Sequence, residues 1–388
     1  MNKKLLHREV QEFIKNYKEP ISKLAFAGSP FKNITVQELM QQIDSRQKVK
    51  DKLPSFFSTE NIYYPPKVNL EQTSSEITAQ YKASIISGES IADITGGFGV
   101  DSFYFSKKFK KVAHYEHDIE LSKIAQHNFK QLGITNITTF EGDGIRNIQD
   151  KKYDVVYADP SRRHNTKGKV FFLNDCEPNI PENLKLLFND APTLLIKTSP
   201  MLDITVGLQE LNNIQEIHIV AINNEVKELL WLLKSNFKGT PEIKTINFNK
   251  GSTDTFDFIF GSDAEPFFSE PLRFLYEPNA AILKSGAFNQ ISEAYKVKKL
   301  HKNTHLYTSE ALRDFPGRCF IIKDSVPYSK KEMKNALNFN KANITTRNFT
   351  ESVAHLRKKW KLADGGDSYL FFTTNLDEDK IMLVCEKI

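Results

Sequence analysis

The stretch "SIADITGGFGVDS" at residues 90–102 decides the predicted fold. A short apolar run ends at Asp93, a turn with Gly96, Gly97 and Gly99 follows, and the chain then continues into a predicted helix. Glycines in such a turn let a ligand approach backbone that side chains would otherwise shield. The stretch therefore predicts a strand and a helix joined by a glycine turn that faces a ligand.

Strands and helices alternate on the C-terminal side of this stretch. Helices are predicted at residues 119–133 and 226–234. Strands are predicted at residues 111–118, 136–143, 153–160, 191–199, 214–224, 243–248 and 255–261. The strand at 255–261 is a candidate for antiparallel pairing. This alternation is typical of a doubly wound, mostly parallel α/β sheet, in which ligands bind beyond the carboxyl ends of the strands.

Two further regions flank the predicted sheet. Residues 1–72 are predicted to be helical, with Thr35 and Glu38 at the spacing of a capping box and a linker at Pro65-Pro66. After residue 270, helical segments such as 289–300 and several strand-like runs predict a separate α+β module. We therefore divide the chain into residues 1–72, 73–265 and 270–388.

The positive charge is concentrated in the last of these regions. From Glu270 onward the chain has 20 Lys and Arg against 14 Asp and Glu, whereas the rest of the chain has 33 against 34. Between Ala294 and Lys361 the contrast is stronger, with 16 basic and 5 acidic residues. A basic module beside a neutral one suggests a polyanionic partner, and an ordinary solvated basic surface is the alternative.

Composition argues against several classes of protein. No apolar run approaches the roughly 20 residues of a membrane-spanning helix, so we predict no membrane partner. The N-terminus has no continuous apolar segment of the secretory type. The three cysteines, Cys176, Cys319 and Cys385, are far apart, so we expect reduced thiols of a cytoplasmic protein and no metal site or disulfide.

Acidic residues end the first three predicted strands. Asp93 precedes the glycine turn and suits a ligand with a cationic amino-acid end, while Ser102 departs from the Gly or Ala that a dinucleotide fingerprint needs. Glu116 is placed to accept ribose hydroxyls, and Asp143 to accept an adenine amino group. The three acids together predict an S-adenosylmethionine site. The alternative is that each acid only caps the helix that follows it.

At this point the chain resembles the class I S-adenosylmethionine-dependent methyltransferases, over residues 73–265. "DITGGFG" resembles their first motif, with Thr95 where glycine is commonest, and "EQTSSEITAQYKA" at residues 71–83 resembles the helix that covers the methionine end of the cofactor. The resemblance implies a Rossmann-like sheet with an N-terminal helical segment. The cofactor-binding residues that it implies are Asp93, Thr95, Gly97, Gly99, Glu116 and Asp143.

The C-terminal region resembles the THUMP-like module of a bacterial family of predicted RNA methyltransferases. The similar segments are "LYEPNAAILKSGAF", "HLYTSEALRDFPGR" and "GGDSYLFFTT". Basic residues that alternate with aromatic ones suit RNA, whose phosphates supply affinity. The RNA-binding residues that we predict, in this module and beside the sheet, are Arg163, Lys197, Arg347, Arg357, Lys358 and Lys359.

The stretch "YADPSRR" at residues 157–163 is the candidate catalytic motif. In methyltransferases that act on amino groups, an acid or amide followed by proline holds the exocyclic nitrogen under the methyl donor, as Asp159 and Pro160 would here. Ser161 and Arg162 stand where those motifs have a second proline and an aromatic ring, so the guanidinium is predicted to lie on a base or a phosphate. Lys197 contacts phosphate or pairs with a neighbouring acid, and both interpretations stay open.

The sequence therefore predicts a methyltransferase that acts on RNA, either tRNA or rRNA, through a base nitrogen. One alternative is a methyltransferase for small molecules or proteins, which would keep its turnover after deletion of residues 270–388. A second alternative is an RNA-binding protein with a vestigial cofactor pocket. A cysteine-nucleophile mechanism through Cys176 is not expected, because no activating base is adjacent to it in the sequence.

Overall fold

The computed structural model of the protein describes residues 1–162 and 172–388. The chain forms two compact units, one of residues Met1–Gln215 and Leu230–Gly239, the other of residues Glu216–Leu229 and Thr240–Ile388. No helix in the described ranges is both long enough and apolar enough to span a bilayer. The domain boundaries at 72/73 and 265/270 stay predictions.

The first unit begins with short helices, as predicted. They are a 3₁₀ helix, Lys3–Leu6, and α1 (Arg8–Asn16), α2 (Ile21–Ala27), α3 (Val36–Lys52), α4 (Pro54–Ser58), α5 (Lys67–Gln72) and α6 (Glu76–Ser84). The predicted capping box is confirmed, since Thr35 Oγ1 accepts from Glu38 N at 3.2 Å and Glu38 Oε2 accepts from Thr35 N at 2.8 Å. The predicted linker is packed against the helices, because Tyr64 is buried and its backbone exchanges two hydrogen bonds with the Gln42 amide.

A parallel sheet forms the rest of the first unit. Its strands are paired in the order β7-β4-β1-β2-β3, and all four pairs are parallel. The elements in chain order are β1 (Ser90–Asp93), α7 (Val100–Ser106), β2 (Lys111–Glu116), α8 (Ile119–Gln131), β3 (Ile137–Glu141), α9 (Gly144–Asn147), β4 (Val155–Ala158), β5 (Ser161–Arg162), a 3₁₀ helix (Leu173–Asp175), β6 (Cys176–Glu177), α10 (Ile180–Asp190), β7 (Thr193–Thr198) and α11 (Ile204–Glu210). The predicted α/β class is confirmed, and the carboxyl ends of these strands bring the candidate acids to one edge.

Four longer strands follow, namely β8 (Ile214–Ile222), β9 (Glu225–Lys234), β10 (Glu242–Asn249) and β11 (Ser252–Ile259). The division between the two units falls within β8 and β9. β10 pairs with β8 in parallel and with β11 antiparallel, which confirms the antiparallel strand expected near residue 255.

The helix predicted at residues 226–234 is wrong, because this segment is the strand β9. Asn223 and Asn224 both have positive φ, 49° and 64°, which is the backbone of a two-residue hairpin turn. Glu228 to Leu233 are all buried, so the segment has no polar face of the kind that a surface helix presents. The signal that was missed is an Asn-Asn pair between two apolar runs.

The C-terminal part of the second unit is an α+β module, as predicted. Its seven strands have the order β13-β14-β12-β15-β18-β17-β16, and the helices lie between them. The elements are β12 (Phe274–Pro278), α12 (Ala280–Ser285), α13 (Gln290–Tyr295), β13 (Lys298–His301), β14 (Thr304–Ser309), β15 (Gly317–Pro327), α14 (Lys330–Ala336), β16 (Asn343–Thr346), α15 (Val353–Trp360), β17 (Ser368–Thr374) and β18 (Lys380–Lys387). The helix predicted at 289–300 ends early, where Lys296 adopts a left-handed φ of 52°.

Candidate active site

Asp93 is a buried carboxyl at the end of β1. Its side chain accepts hydrogen bonds from Ser102 Oγ at 2.7 Å and from Thr95 N at 3.1 Å, and the residue is only 1% exposed. Burial raises the pKa of Asp93 from its ordinary value of 3.8 to about 8. In the ligand-free protein the carboxyl therefore holds a proton at neutral pH, and a cation placed beside it would favour the ionised form.

Ser102 contacts the Asp93 carboxyl, and His114 contacts Ser102. Neither contact was predicted from the sequence. Ser102 Oγ lies 3.0 Å from His114 Nδ1. The Ser102 hydroxyl therefore lies between the carboxyl of Asp93 and the imidazole of His114. Burial lowers the pKa of His114 to about 3, so the ring is neutral. The available signal was Ser102 itself, at the position where the dinucleotide fingerprint has Gly or Ala.

The three glycines of the turn have different structural roles. Gly97 has a φ of 57°, and a Cβ there would meet only Thr95 O, at 3.8 Å. A Cβ on Gly96 would lie 2.2 Å from the His114 ring, and one on Gly99 would lie 2.4 Å from the Phe129 ring. Gly96 and Gly99 are therefore required by packing inside the protein. Only Gly97 leaves open space of the kind that the sequence predicted for a ligand.

These differences predict that substitutions at Gly96 and Gly97 destabilise the protein to different extents. Gly96→Ala is expected to lower the free energy of unfolding by about 3 kcal/mol, because its Cβ would overlap the buried His114 ring. Gly97→Asn is expected to cost less than about 1 kcal/mol, since Asn tolerates a left-handed φ and the space is open. Thermal unfolding of both variants without ligand tests the pair, and a Gly97→Asn variant less stable than Gly96→Ala would contradict it.

Glu116, at the end of β2, holds the glycine turn in place. Its Oε2 accepts from Gly97 N at 2.6 Å and its Oε1 accepts from Asp118 N at 2.7 Å. The helix cap is Asp118, whose side chain accepts from Glu120 N and Leu121 N. The alternative that each strand-end acid only caps a helix therefore does not hold for Glu116.

Asp143 does cap a helix, as that alternative supposes. Its Oδ1 accepts from Arg146 N at 3.2 Å at the start of α9, and its Oδ2 lies 3.4 Å from Arg146 Nε. The next residue, Gly144, packs so closely on β1 that a Cβ there would lie 2.4 Å from Ile94 O. Asp143 is thus beside the glycine turn, and its contact with an adenine stays a prediction.

Thr95 connects the glycine turn to the candidate catalytic motif. Its Oγ1 accepts from Asp159 N at 2.7 Å, at the end of β4. Lys197, at the end of β7, donates from Nζ to Asp159 Oδ2 at 2.5 Å. The side chains of Asp159 and Lys197 are 28% and 15% exposed, so the ion pair is partly buried. Of the two interpretations of Lys197, the structure shows the pairing with an acid, and the phosphate contact stays a prediction.

The residues after Asp159 lead away from the sheet. Pro160 is buried, while Ser161 and Arg162 are exposed and form β5, which pairs antiparallel with β6. Arg163 lies outside the described residues. Cys176 is directly opposite Arg162, and burial raises the pKa of its thiol to about 11. A thiol with that pKa is a poor nucleophile at neutral pH, in line with the expectation against a cysteine mechanism.

A buried lysine beside this site has no signal in the sequence. Lys82, on α6, is 0% exposed; its Nζ lies 3.2 Å from Asp101 Oδ1 and donates to Ser74 Oγ at 2.8 Å. Asp101 Oδ2 also accepts from Tyr157 OH at 3.1 Å. These bonds join α6, α7 and β4 directly behind Asp93. A lysine within a predicted helix is ordinarily read as exposed, so the sequence could not identify it.

The predicted RNA-binding cations of the second unit differ in whether an acidic residue pairs with them. Arg347 donates to Glu277 Oε1 at 2.6 Å, and Arg357 pairs with Asp364. Lys359 lies 3.0 Å from Glu351 Oε1. Lys358 is exposed and has no ion pair within the described ranges. Trp360 packs against the hydrophobic cluster beside α15.

Comparison with family models matches two consecutive parts of the second unit. Residues 274–316 match a ferredoxin-like domain and residues 317–387 match a THUMP domain-like model. A comparison with curated proteins gave no match. Two solved structures that match only part of the chain are similar to it at a level too low to bear on function. They are a candidate RNA methyltransferase of Pyrococcus horikoshii (15% identity, TM-score 0.34, 48% of this chain and 98% of that one) and the tRNA (uracil-54, C5)-methyltransferase of Pyrococcus abyssi with S-adenosyl-L-homocysteine (16%, 0.29, 40% and 37%).

A third solved structure matches the whole chain. It is a candidate methyltransferase of Porphyromonas gingivalis W83, 31% identical, with a TM-score of 0.90 over 100% of this chain and 98% of that one. The match covers the parallel sheet, the N-terminal helices and the α+β module together. The chain therefore belongs to the family of class I methyltransferases that carry a C-terminal THUMP-like domain.

Proposed function

We propose that this protein transfers a methyl group from S-adenosylmethionine to RNA, either tRNA or rRNA, at a base nitrogen held by Asp159 and Pro160. The observation that carries the proposal is the linkage of three strand ends around one glycine turn. Gly97 is bonded to Glu116 of β2, and Thr95 is bonded to Asp159 of β4. A donor site and an acceptor site that share one rigid turn suit a direct transfer between two bound substrates.

The residues of the turn fit S-adenosylmethionine. Asp93 is a buried acid whose pKa is raised by burial, and the amino-acid end of this cofactor is cationic. Gly97 leaves space on the ligand side, Glu116 would accept the ribose hydroxyls and Asp143 the adenine amino group. The cofactor supplies an electrophilic methyl group, and the protein holds it in line with the acceptor.

The acceptor would be oriented by Asp159. Its Oδ2 accepts from Lys197, and Oδ1 would be the oxygen that accepts from an exocyclic amine. A carboxylate that pairs with an ammonium accepts hydrogen bonds and donates none. The role of Asp159 is thus to aim the nitrogen lone pair at the methyl group, and alignment of this kind supplies much of the rate enhancement without a strong base.

The choice of RNA as substrate is supported by charge and by family. The basic excess lies between Ala294 and Lys361, within the parts that match the ferredoxin-like and THUMP-like models. Incubation of the protein with methyl-tritiated S-adenosylmethionine and total RNA tests the proposal. Radioactivity that stays with RNA and is released by ribonuclease is expected, and label only in protein or in small molecules would contradict it.

The exposed cation Lys358 is expected to contribute to RNA affinity through phosphate. Lys358→Ala should weaken RNA binding and lower the salt slope by about one, since one fewer counterion is released. Adding Arg357→Ala should lower the slope further, but by less, because Arg357 is already paired with Asp364. Lys15→Ala is the matched control, as Lys15 pairs with Glu60 on the N-terminal helices. Fluorescence anisotropy over a salt series measures the slopes. Identical slopes for Lys358→Ala and wild type would contradict a contact between Lys358 and RNA phosphate.

We also propose a cytoplasmic location. All three cysteines, Cys176, Cys319 and Cys385, are unpaired, and two of them are buried. Free thiols of this kind are common where the compartment is reducing.

A further inference from the structure

The second unit contains a cleft that the proposed transfer does not use. It has a volume of about 780 Å³, and most of the residues that line it are polar or charged. We call it the asparagine cleft and define it by Asn247, Asn249, Asp254, Asn279, Arg313 and Arg318. The volume is within the range of about 300–1,000 Å³ that is typical of small-ligand sites.

The floor of the asparagine cleft is a preorganised network of amides around one carboxylate. Asn247 is only 2% exposed, and its Nδ2 donates to Asn249 Oδ1 at 3.0 Å and to Asp254 Oδ2 at 3.2 Å. Asn249 Nδ2 also donates to Asp254 Oδ2, at 2.9 Å. Among the residues that the structure describes, none bonds to the second N–H of Asn249 or to Asp254 Oδ1, so both are available to a ligand. A fixed donor beside a fixed acceptor suits the edge of a nucleobase.

The surrounding backbone is held by further asparagines. Asn224 Oδ1 accepts from Ala280 N at 2.7 Å, and Asn279 Oδ1 accepts from Ile282 N at 3.1 Å. Asn247 Oδ1 accepts from Asn224 N at 2.9 Å, which anchors the hairpin turn to the floor. The network therefore needs no rearrangement before a ligand binds.

One wall of the cleft carries a fixed guanidinium. Arg318 donates from Nε to Glu277 Oε2 at 2.6 Å and also from Nη2 to the same oxygen. Glu277 is buried and bonded to Arg347 as well, so one carboxylate holds two guanidiniums with a net positive charge. Such a group binds phosphate or stacks on a base without first losing conformational freedom.

The rim supplies a second guanidinium that is free to move. Arg313 is exposed, and its side chain has no ion pair or hydrogen bond with any residue that the structure describes. Exposed Leu312 precedes it and also lines the cleft. Lys387 and Asp314, which have opposite charges, line the cleft too. The rim thus offers one cation for phosphate beside an apolar surface for the face of a base.

We propose that the asparagine cleft binds one unpaired nucleotide of the RNA substrate, with the base edge on Asn249 and Asp254 and the phosphate on Arg313. This inference rests on the proposed action on RNA. It gives the second unit a base-reading site in addition to the phosphate-binding surface predicted around Lys358. The cleft would select for single-stranded RNA, since pairing occupies the Watson–Crick edge that the amides would bind.

Fluorescence anisotropy with labelled single-stranded hexamers of A, C or U tests the inference on the full chain. Asn249→Leu, which keeps the size of the side chain and removes its hydrogen bonds, is expected to weaken binding of the best hexamer by on the order of tenfold. Arg313→Ala is expected to weaken all hexamers and to lower the salt slope by about one. Arg273→Ala, which removes an exposed arginine that does not line the cleft, is the matched control and should bind as wild type.

The outcomes separate this inference from the proposed function. If Asn249→Leu and Arg313→Ala both bind the hexamers as wild type does, and methyl transfer to RNA is intact, the proposal that the cleft binds a nucleotide is wrong. The proposed function would be unaffected by that result. Binding of free AMP, CMP or UMP in the cleft without hexamer binding would overturn RNA as the occupant. Arg313 has an exposed side chain that bonds to none of the described residues, so its variant keeps the test valid even if Asn249→Leu unfolds.

Discussion

Replacing Asp93 by asparagine is expected to weaken S-adenosylmethionine binding by about a hundredfold. The carboxyl is buried, so it would meet the cationic end of the cofactor in a site from which water is excluded, and loss of one partner of a buried pair costs about 3 kcal/mol or more. Isothermal calorimetry measures the loss. Asp44→Asn removes an exposed carboxylate that pairs with Lys48, and this control should bind as wild type.

The same residue predicts how affinity depends on pH. Because the pKa of Asp93 is about 8 in the ligand-free protein, binding of a cation releases a proton, and affinity should rise about tenfold per pH unit below pH 8. Calorimetry in buffers of different ionisation enthalpy counts that proton. Asp93→Asn should remove both the proton release and the slope. A flat pH profile in wild type would contradict the buried-acid account.

Stability should change in the opposite direction. The native state holds the Asp93 proton up to about pH 8, whereas the unfolded chain loses it near pH 4, so native protein binds more protons between these values and its stability falls as pH rises through them. Asp93→Asn has no charge to desolvate. It should therefore unfold at a higher temperature than wild type above pH 8, and this advantage should shrink as the pH is lowered towards 4. A variant less stable than wild type above pH 8 would contradict the assignment.

The second large effect is expected at Asp159. Asp159→Ala should lower kcat by on the order of a hundredfold to a thousandfold while leaving the affinity for S-adenosylmethionine unchanged, because the acceptor nitrogen loses the group that orients it. Single-turnover methyl transfer and calorimetry separate the two quantities. The backbone N–H of Asp159 still donates to Thr95 in the variant, so the glycine turn should keep its position.

Asp159→Asn is the matched control for this effect. An amide oxygen still accepts from an amine, so this variant should be less active than wild type and more active than Asp159→Ala. Lys197→Met removes the cation and leaves the carboxylate, which isolates the contribution of the ion pair. Turnover of Asp159→Ala within a few-fold of wild type would rule out the proposed role.

The parts of the site that follow from local sequence were predictable. Alternating apolar runs place Asp93, Glu116 and Asp159 at strand ends, and parallel pairing of β1 with β2 and β4 then brings them to one edge. The hairpin turn at Asn223 and Asn224 could also have been predicted, from the Asn-Asn pair between two apolar runs. The helix prediction failed there because a buried strand and a buried helix have similar apolar content.

Partnerships between distant residues could not be predicted. The buried ammonium of Lys82 contacts Asp101 and Ser74, and Tyr157 donates to the same Asp101. No spacing in the sequence indicates that cluster. Arg347 was predicted to bind RNA, and no pattern in the sequence indicated that Glu277, seventy residues away, accepts from its guanidinium. Charge counts therefore located the basic region, whereas the structure was needed to distinguish Lys358 from the paired cations.

Nucleoside mass spectrometry of RNA from cells that lack this protein tests the central claim most directly. The account predicts that one methylated nucleoside present in wild-type tRNA or rRNA is missing, and that wild-type protein restores it whereas Asp159→Ala does not. An unchanged set of methylated nucleosides in every class of RNA would contradict the proposal that this methyltransferase acts on RNA.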